Sequence, residues 1–499
     1  MSRHKLFASL AAAGCLAVTT PGGAVEVNPD GIGQVLLYPY YTVRDSSAGN
    51  AINTLITVGN TTDHVKALRV RFREGAVGAP VADINLYLSA HDMWTAAVIP
   101  DAGGGATLRT ADRSCIVPLA PLPFSNQAYI GDPLTASLDR TREGFIEIME
   151  MGDYGLASAA PVGSVAEGVQ QIGGEGVPLD CSRAVNDIGT ESQVGTGGLF
   201  GRAILINVDD GTEFSYSATA LANFNTIQSL WAASNTPGPS LADVNPPISV
   251  VHYFDLGTIR TQWAAPIDAT SAVLMHESLS NEYVLDSATG SITDWVITMP
   301  TKYFYVNANL VPSRLFQSPL TSKGACEIVE SDDTAALLFD RESDASNGGT
   351  MFPEPPPPSQ GALCWASTVL NFVEIGNSLP QTPTLFGSQN MYAVTAFPFT
   401  AANAAPFSVL TPFQDGWMMV PLHVDGLGAQ FTHFLVGGAT TLFNPDGSVE
   451  TQPQATYFGL PVIGFAAESY SNGTLVVNGQ TVLSNYGGLI GHRYTNTVQ

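Results

Sequence analysis

The chain has 499 residues, with 44 Asp and Glu against 19 Lys and Arg, for a formal net charge of −25. So acidic a surface repels phosphate backbones and anionic lipid, which argues against nucleic acid and the inner membrane leaflet as partners. Hydrophobic residues make up 45% and charged residues 13%, enough to bury sizeable cores, and the length exceeds one compact core, so two or more domains are expected.

Residues 1–24 carry Arg3 and Lys5, an apolar run from Leu6 to Val18 and a small-residue segment ending at Ala24. That is the layout of a secretory signal peptide, with a core too short to span a bilayer and cleavage expected after Ala24. Lipidation at Cys15 is the rival reading, disfavoured because Ala12 stands where a larger aliphatic is usual. Loss of this segment removes two basic groups and no acidic ones, leaving a net charge of −27.

From residue 25 onward, short runs of β-branched, aromatic and aliphatic residues alternate with Gly, Pro, Asn and Asp. "IGQVLLYPYYTV", "NTLITVGN", "ALRVRFRE", "ADINLYLSA" and "MWTAAVIP" read as consecutive strands, followed by "GFIEIMEMG" and "GRAILINV". A helix is expected over Ser217–Asn235, which is Ala-rich and ends at a Pro-Gly-Pro segment, and another turn or two in "DPLTASLDR". The Pro- and Gly-rich stretch 234–249 marks a boundary between an N-terminal region, 25–240, and a C-terminal one, 241–499, with a proline-rich loop at 351–361. In the second region "ISVVHYFDL", "SAVLMHESL", "DWVITMP", "KYFYVNANLV", "MYAVTAF" and "GTLVVNG" repeat the strand pattern. The expected fold class is all-β, with two or more β-sandwich domains and few short helices. A membrane β-barrel fits less well, because many strands are short and the C-terminal residues do not form an apolar strand ending in an aromatic.

Chemistry is thinly marked. No GxSxG or SxxK motif occurs, and His64, His91, His252, His276, His423, His433 and His492 lack metal-ligand spacing. Glu147 and Glu150 fall on opposite faces of one strand, so they make no ready acid pair. No enzymatic activity is expected. The best cofactor candidate is calcium, in the oxygen-rich loop of Asp340, Glu342, Asp344 and Asn347, with Asp209, Asp210 and Glu213 as a smaller cluster; a solvated acidic loop competes in both places. Tyr38, Tyr40 and Tyr41 and the run Tyr303-Phe304-Tyr305 could stack on sugars, though core packing is the duller account. Trp94, Trp263 or Trp295 in an open groove beside two carboxylates would favour a glycan site. Cys115, Cys181, Cys326 and Cys364, an even number, are expected to form disulfides; order along the chain favours the first with the second and the third with the fourth among three connectivities.

The segment "NTLITVGNTTDHVKALRVRFREG" places Leu68, Val70 and Phe72 on one face and Arg69, Arg71 and Arg73 on the other. Like charges two residues apart repel, so this cationic ladder needs carboxylates, either of its own sheet or of another molecule. The segment looks like adjacent strands of an immunoglobulin-like sandwich joined by a polar Asn-Thr-Thr-Asp turn. Together with "GQVLLYPYYTV", "REGFIEIMEMG", "GGLFGRAILINVDDGTEFSYSATAL", "TDWVITMPTKYFYV" and "GLPVIGFAAESYSNGTL", it is similar to blocks in a family of uncharacterised exported proteins of Gram-negative bacteria, loosely labelled cell surface proteins. The resemblance spans most of the chain after the signal segment and implies a surface location; no activity comes with it. The expected role is structural or adhesive, with further copies of the chain or surface glycans as partners.

Overall fold

In the computed structural model the described residues are 23–499, apart from 47–48, 173–175, 235, 255, 307–314, 330–336, 343–358, 376–383, 397–402 and 424–431. Nearly all of the signal segment, Asp344 and Asn347 of the calcium loop, and most of the proline-rich loop therefore lie outside the described residues.

Among the described residues the N-terminal region has fifteen strands: β1 (Glu26–Val27), β2 (Val35–Thr42), β3 (Asn53–Asn60), β4 (His64–Glu74), β5 (Pro80–Leu88), β6 (Met93–Pro100), β7 (Ala106–Arg109), β8 (Cys115–Val117), β9 (Leu122–Pro123), β10 (Glu143–Leu156), β11 (Gln171–Ile172), β12 (Val177–Pro178), β13 (Leu199–Asn207), β14 (Thr212–Ser217) and β15 (Thr219–Ala222). They form a seven-stranded sheet, β1-β15-β2-β10-β4-β5-β8, and a six-stranded sheet, β14-β13-β3-β6-β7-β9, with β11 and β12 as a separate ribbon. The two sheets bury Leu68, Val70 and Phe72 of one against Ile56, Val58 and Trp94 of the other, which makes a sandwich. Its strands outnumber the roughly seven to nine of an immunoglobulin module. The Asn-Thr-Thr-Asp turn is not a hairpin: β3 pairs with β13 and β6, while β4 pairs with β10 and β5, so the turn carries the chain from one sheet to the other. Asn60 fixes that corner, its amide donating to the carbonyls of His64 and Ser89.

The helix expected over Ser217–Asn235 does not form. Thr219–Ala222 pairs with β2 instead, and beyond it Asn225 Oδ1 accepts the N–H groups of Ile227 and Gln228. Those side-chain bonds take backbone donors that a helix would need, so Ala content is overridden. The helical turns lie elsewhere: α1 (Val165–Val169), α2 (Ser182–Val185), α3 (Pro266–Val273) and α4 (Tyr303–Val306). α3 and α4 occupy parts of two expected strands; Pro266 at the start of α3 has a fixed φ suited to a first turn. "DPLTASLDR" ends in a short 3-10 turn, Leu138–Arg142.

In the C-terminal region, a four-stranded sheet ordered Leu337–Asp340, Asp415–Pro421, Ser278–Val284, Arg493–Thr495 faces a five-stranded sheet ordered Val409–Thr411, Ser367–Glu374, Ile292–Thr298, Ile463–Val477, Gln480–Gly491. Tyr283 stacks on Phe372 at 4.9 Å between them, beside Trp295, Leu279 and Met418. The five-stranded sheet is buried on both faces, because Val296, Val369, Phe465 and Ala467 turn the other way into the N-terminal core. The two regions thus share hydrophobic clusters across the expected boundary, and every sheet among the described residues is open at its ends.

Inside this shared layer Asp294 is fully buried, and its Oδ2 accepts the N–H groups of Leu385 and Phe386. Burial pushes its carboxyl up to about 7 against those two hydrogen bonds. The folded state therefore holds a proton that the unfolded chain releases near pH 4, and stability falls as pH rises between about 4 and 7. Asp294→Asn is expected to remove that loss, its amide standing where Oδ1 lacks a partner and facing the cross-strand residue Asn371, whose own side chain is also unpaired. Urea denaturation at pH 8 should show the variant more stable by up to about 4 kcal/mol, with the two proteins converging at pH 4.

Candidate functional site

The cationic ladder faces inward. Arg69 is fully buried and Arg71 and Arg73 are 2% exposed, so their sheet is covered on both faces. Arg71 Nε meets Asp83 Oδ1 at 2.6 Å, and its two terminal nitrogens donate to the carbonyls of Pro239 and Pro237 at 2.8 and 2.7 Å. Arg69 donates to the carbonyls of Ala232, Ala233 and Thr236. Arg73 pairs with Glu147 at 2.7 Å, donates to the carbonyl of Gly78 and lies under the rings of Tyr303 and Phe304. The cover is the Pro- and Gly-rich segment at the expected domain boundary. Prolines deprive it of N–H donors, so it cannot join a ladder as an ordinary strand, and its carbonyls still need partners when buried. Planar guanidinium forks supply them. Burial pushes the Arg69 guanidinium down to about 10, Asp83 opposing and Arg71 adding to the fall, so it stays charged at neutral pH. Carboxylates of the same sheet and carbonyls of the same chain take up most of the ladder's donors, and at 0–2% exposure its three side chains leave little surface for a second molecule.

Glu150, on the opposite side of β10 from Glu147, meets Lys66 Nζ at 2.7 Å. The cysteines are joined as Cys115–Cys181 and Cys326–Cys364. Of the calcium loop, Asp340 ends a strand and its Oδ1 accepts the N–H of Glu342 at 2.9 Å. Asp210 accepts hydrogen bonds from Ser46, Asn50 and Asn207, which makes it a structural tie. Among the described residues no group of three or more His, Cys, Asp and Glu side chains is arranged to hold a metal. Trp94, Trp263 and Trp295 are buried, as are Tyr38, Tyr40 and Tyr41, so none of them offers a stacking platform.

An aromatic platform lies instead on the C-terminal four-stranded sheet. In the four-stranded sheet, register sets Phe339, Trp417 and Glu282 side by side across three strands. Leu338, Met418 and Tyr283 turn into the core, so alternation sends this row outward. Trp417 is 41% exposed and stacks on Phe339 with ring centres 4.4 Å apart and planes 13° off parallel. Arg341 Nη1 and Asp415 Oδ1, 3.4 Å apart, lie alongside the row, two residues from Phe339 and Trp417 respectively. On the neighbouring sheet Tyr470 donates to Glu468 at 2.6 Å. Burial pushes the Glu468 carboxyl up, the Tyr470 hydroxyl opposes the shift, and the charge of Glu282 adds to the rise. Aromatic surface ringed by carboxylates, a guanidinium and a phenol matches what a sugar presents, an apolar C–H face edged by hydroxyls. "DGWMMVP" carried the signal, since Trp417 is out of phase with the apolar positions Met418 and Val420.

The two disulfides are compatible with an oxidising compartment, and among the described residues no helix is long and apolar enough to cross a membrane. No family model matches the sequence, and no curated protein or solved structure matches it.

Proposed function

We propose that this chain is an exported adhesive protein of a Gram-negative cell surface, without enzymatic activity, that holds surface glycans on the outer face of its C-terminal four-stranded sheet. The observation that carries this reading is the solvent-facing Phe339–Trp417 stack flanked by Glu282, Asp415 and Arg341. An immunoglobulin-like kinship of the N-terminal sandwich belongs to the same proposal and rests on the corner at Asn60, where the chain passes between face-packed sheets. Calcium, bound by the loop beginning at Asp340, is the cofactor it includes.

The test is a glycan array probed with purified protein, with and without a calcium chelator. Binding to a defined glycan class is expected, and Trp417→Ala should weaken it about five- to a hundredfold while leaving the melting curve close to the parent's, on the scale of the about 1–3 kcal/mol that truncating an aromatic stacking platform costs in base recognition. Binding unaffected by Trp417→Ala, or release of reducing sugar from the bound glycan, would overturn the reading.

A second reading, self-association, has its own observation. Val449–Gln452 is an edge strand whose four residues are all exposed, paired on one side only with Thr440–Phe443. Phe254, fully exposed, directly follows Ile248–Tyr253, the strand at the opposite edge of the same sheet. Such an edge can accept a strand from another copy. Filaments or a lattice in electron micrographs of the purified protein, abolished by Val449→Pro, would favour it; a monodisperse monomer would remove it.

A further inference from the structure

A cleft of about 710 Å³ opens where the N-terminal sandwich meets the C-terminal strands. Its walls come from the β14–β15 turn, the strand Ile248–Tyr253, the end of α3 and the segments that start at Ile463 and end at Tyr494. Val250, Leu274, Met275, Ile463, Phe465 and Leu489 give it an apolar lining. In a chain with 44 acids, none of the described residues lining the cleft is Asp, Glu, Lys or Arg. An anion would find no cation there and would approach against a net charge of −25; a cation would lose its hydration with no carboxylate to replace it.

Three histidines line the cleft, and their hydrogen bonds separate them. His492 is satisfied, Nδ1 accepting from Asn281 and Nε2–H donating to the carbonyl of Val296. His252, at the exposed rim, is occupied by Thr258 and Glu26. His276 stacks on Tyr494 at 3.8 Å, and its Nδ1 accepts from Asn496, whose amide nitrogen also reaches the carbonyls of Met275 and Thr495. The proton of His276 therefore sits on Nε2, which has no acceptor among the described residues. Burial pushes this imidazole down to about 4, so at neutral pH it is an uncharged donor. The lining thus asks for an apolar body carrying a neutral acceptor oxygen. A sugar, with many hydroxyls to satisfy, fits it poorly.

We propose that this cleft binds an uncharged, lipid-like ester, its acyl chain against the apolar wall and its carbonyl oxygen accepting from His276 Nε2–H. This site is separate from the Phe339–Trp417 face, so either assignment can fail without the other.

The test uses the purified full chain, the neutral fluorophore phenylnaphthylamine, and two competitors of equal chain length, monopalmitoylglycerol and sodium palmitate, at pH 7.5. The fluorophore should brighten on binding, and the glycerol ester should displace it at least about tenfold more effectively than the palmitate anion. Leu489→Trp and Ser217→Trp, filling the cleft from two elements, should each abolish brightening; melting curves show which variant has kept its fold, and the folded one decides. His276→Phe should retain the fluorophore and weaken displacement by the ester about tenfold, the loss of one hydrogen bond. No brightening, equal competition by the anion, or unchanged binding in a folded cleft-filling variant would overturn the proposal.

Discussion

Replacing Arg71 with Gln lowers the free energy of unfolding by about 3–5 kcal/mol, the cost of breaking a buried charge network by removing one partner. Three acceptors lose their donor at once, the Asp83 carboxylate and the carbonyls of Pro237 and Pro239. Asp83 is partly exposed and recovers water; the Pro239 carbonyl bond is buried and does not. The orphaned carbonyl accounts for much of the loss, since a buried acceptor without a partner costs about 1–3 kcal/mol. Arg71→Lys should restore less than half, because an ammonium is a point charge and cannot span three divergent acceptors as a fork does. Urea denaturation measures both, and Arg341→Gln is the internal comparison. Arg341 is 69% exposed and its pair with Asp415 lies at the surface, so its loss should cost less than about 1 kcal/mol. A change of similar size at both positions would mean that the ladder does not clamp the strap over it.

The double variant Cys115→Ala, Cys181→Ala should be destabilised by about 4 kcal/mol, from the loop-closure entropy of a 66-residue span. The bond joins β8, an edge strand of the seven-stranded sheet, to the start of α2. Around it lies a small satellite core of Val65, Tyr87, Met151, Tyr154, Val165 and Ala184, with Trp231 packed against it. That cluster is too small to hold the Gly-rich segment by burial alone, so the loss should be local first: Trp231 fluorescence is expected to change at lower urea than far-ultraviolet dichroism. Coincident transitions would show instead that the satellite unfolds with the main cores.

Alternation, turn residues and cysteine number were legible along the chain because each is a local property. Leu68, Val70 and Phe72 lie on one side of β4 and Arg69, Arg71 and Arg73 on the other, as their spacing requires of any extended strand. The four cysteines beyond the signal segment indicated disulfides but left three pairings, and chain order favoured the pairing that formed. The Ala-rich run at 217–235 misled because helix propensity is weak beside strand pairing and Asn225's hold on its own backbone.

What covers each face was decided only by the assembled structure. The ladder's partners lie at Asp83, Gly78, Glu147 and the segment 232–239, and no period in the sequence shows that this segment folds back over β4. Trp94, Trp295 and Trp417 all sit in strands, yet the first two are buried and the third faces solvent. The cleft beside His276 gathers residues from 27 to 496. By itself the sequence determined which side chains share a face of each strand, since that follows from backbone geometry within a few residues. Whether a face meets water, a guanidinium or another sheet depends on contacts closed across hundreds of residues, which only the tertiary structure could supply.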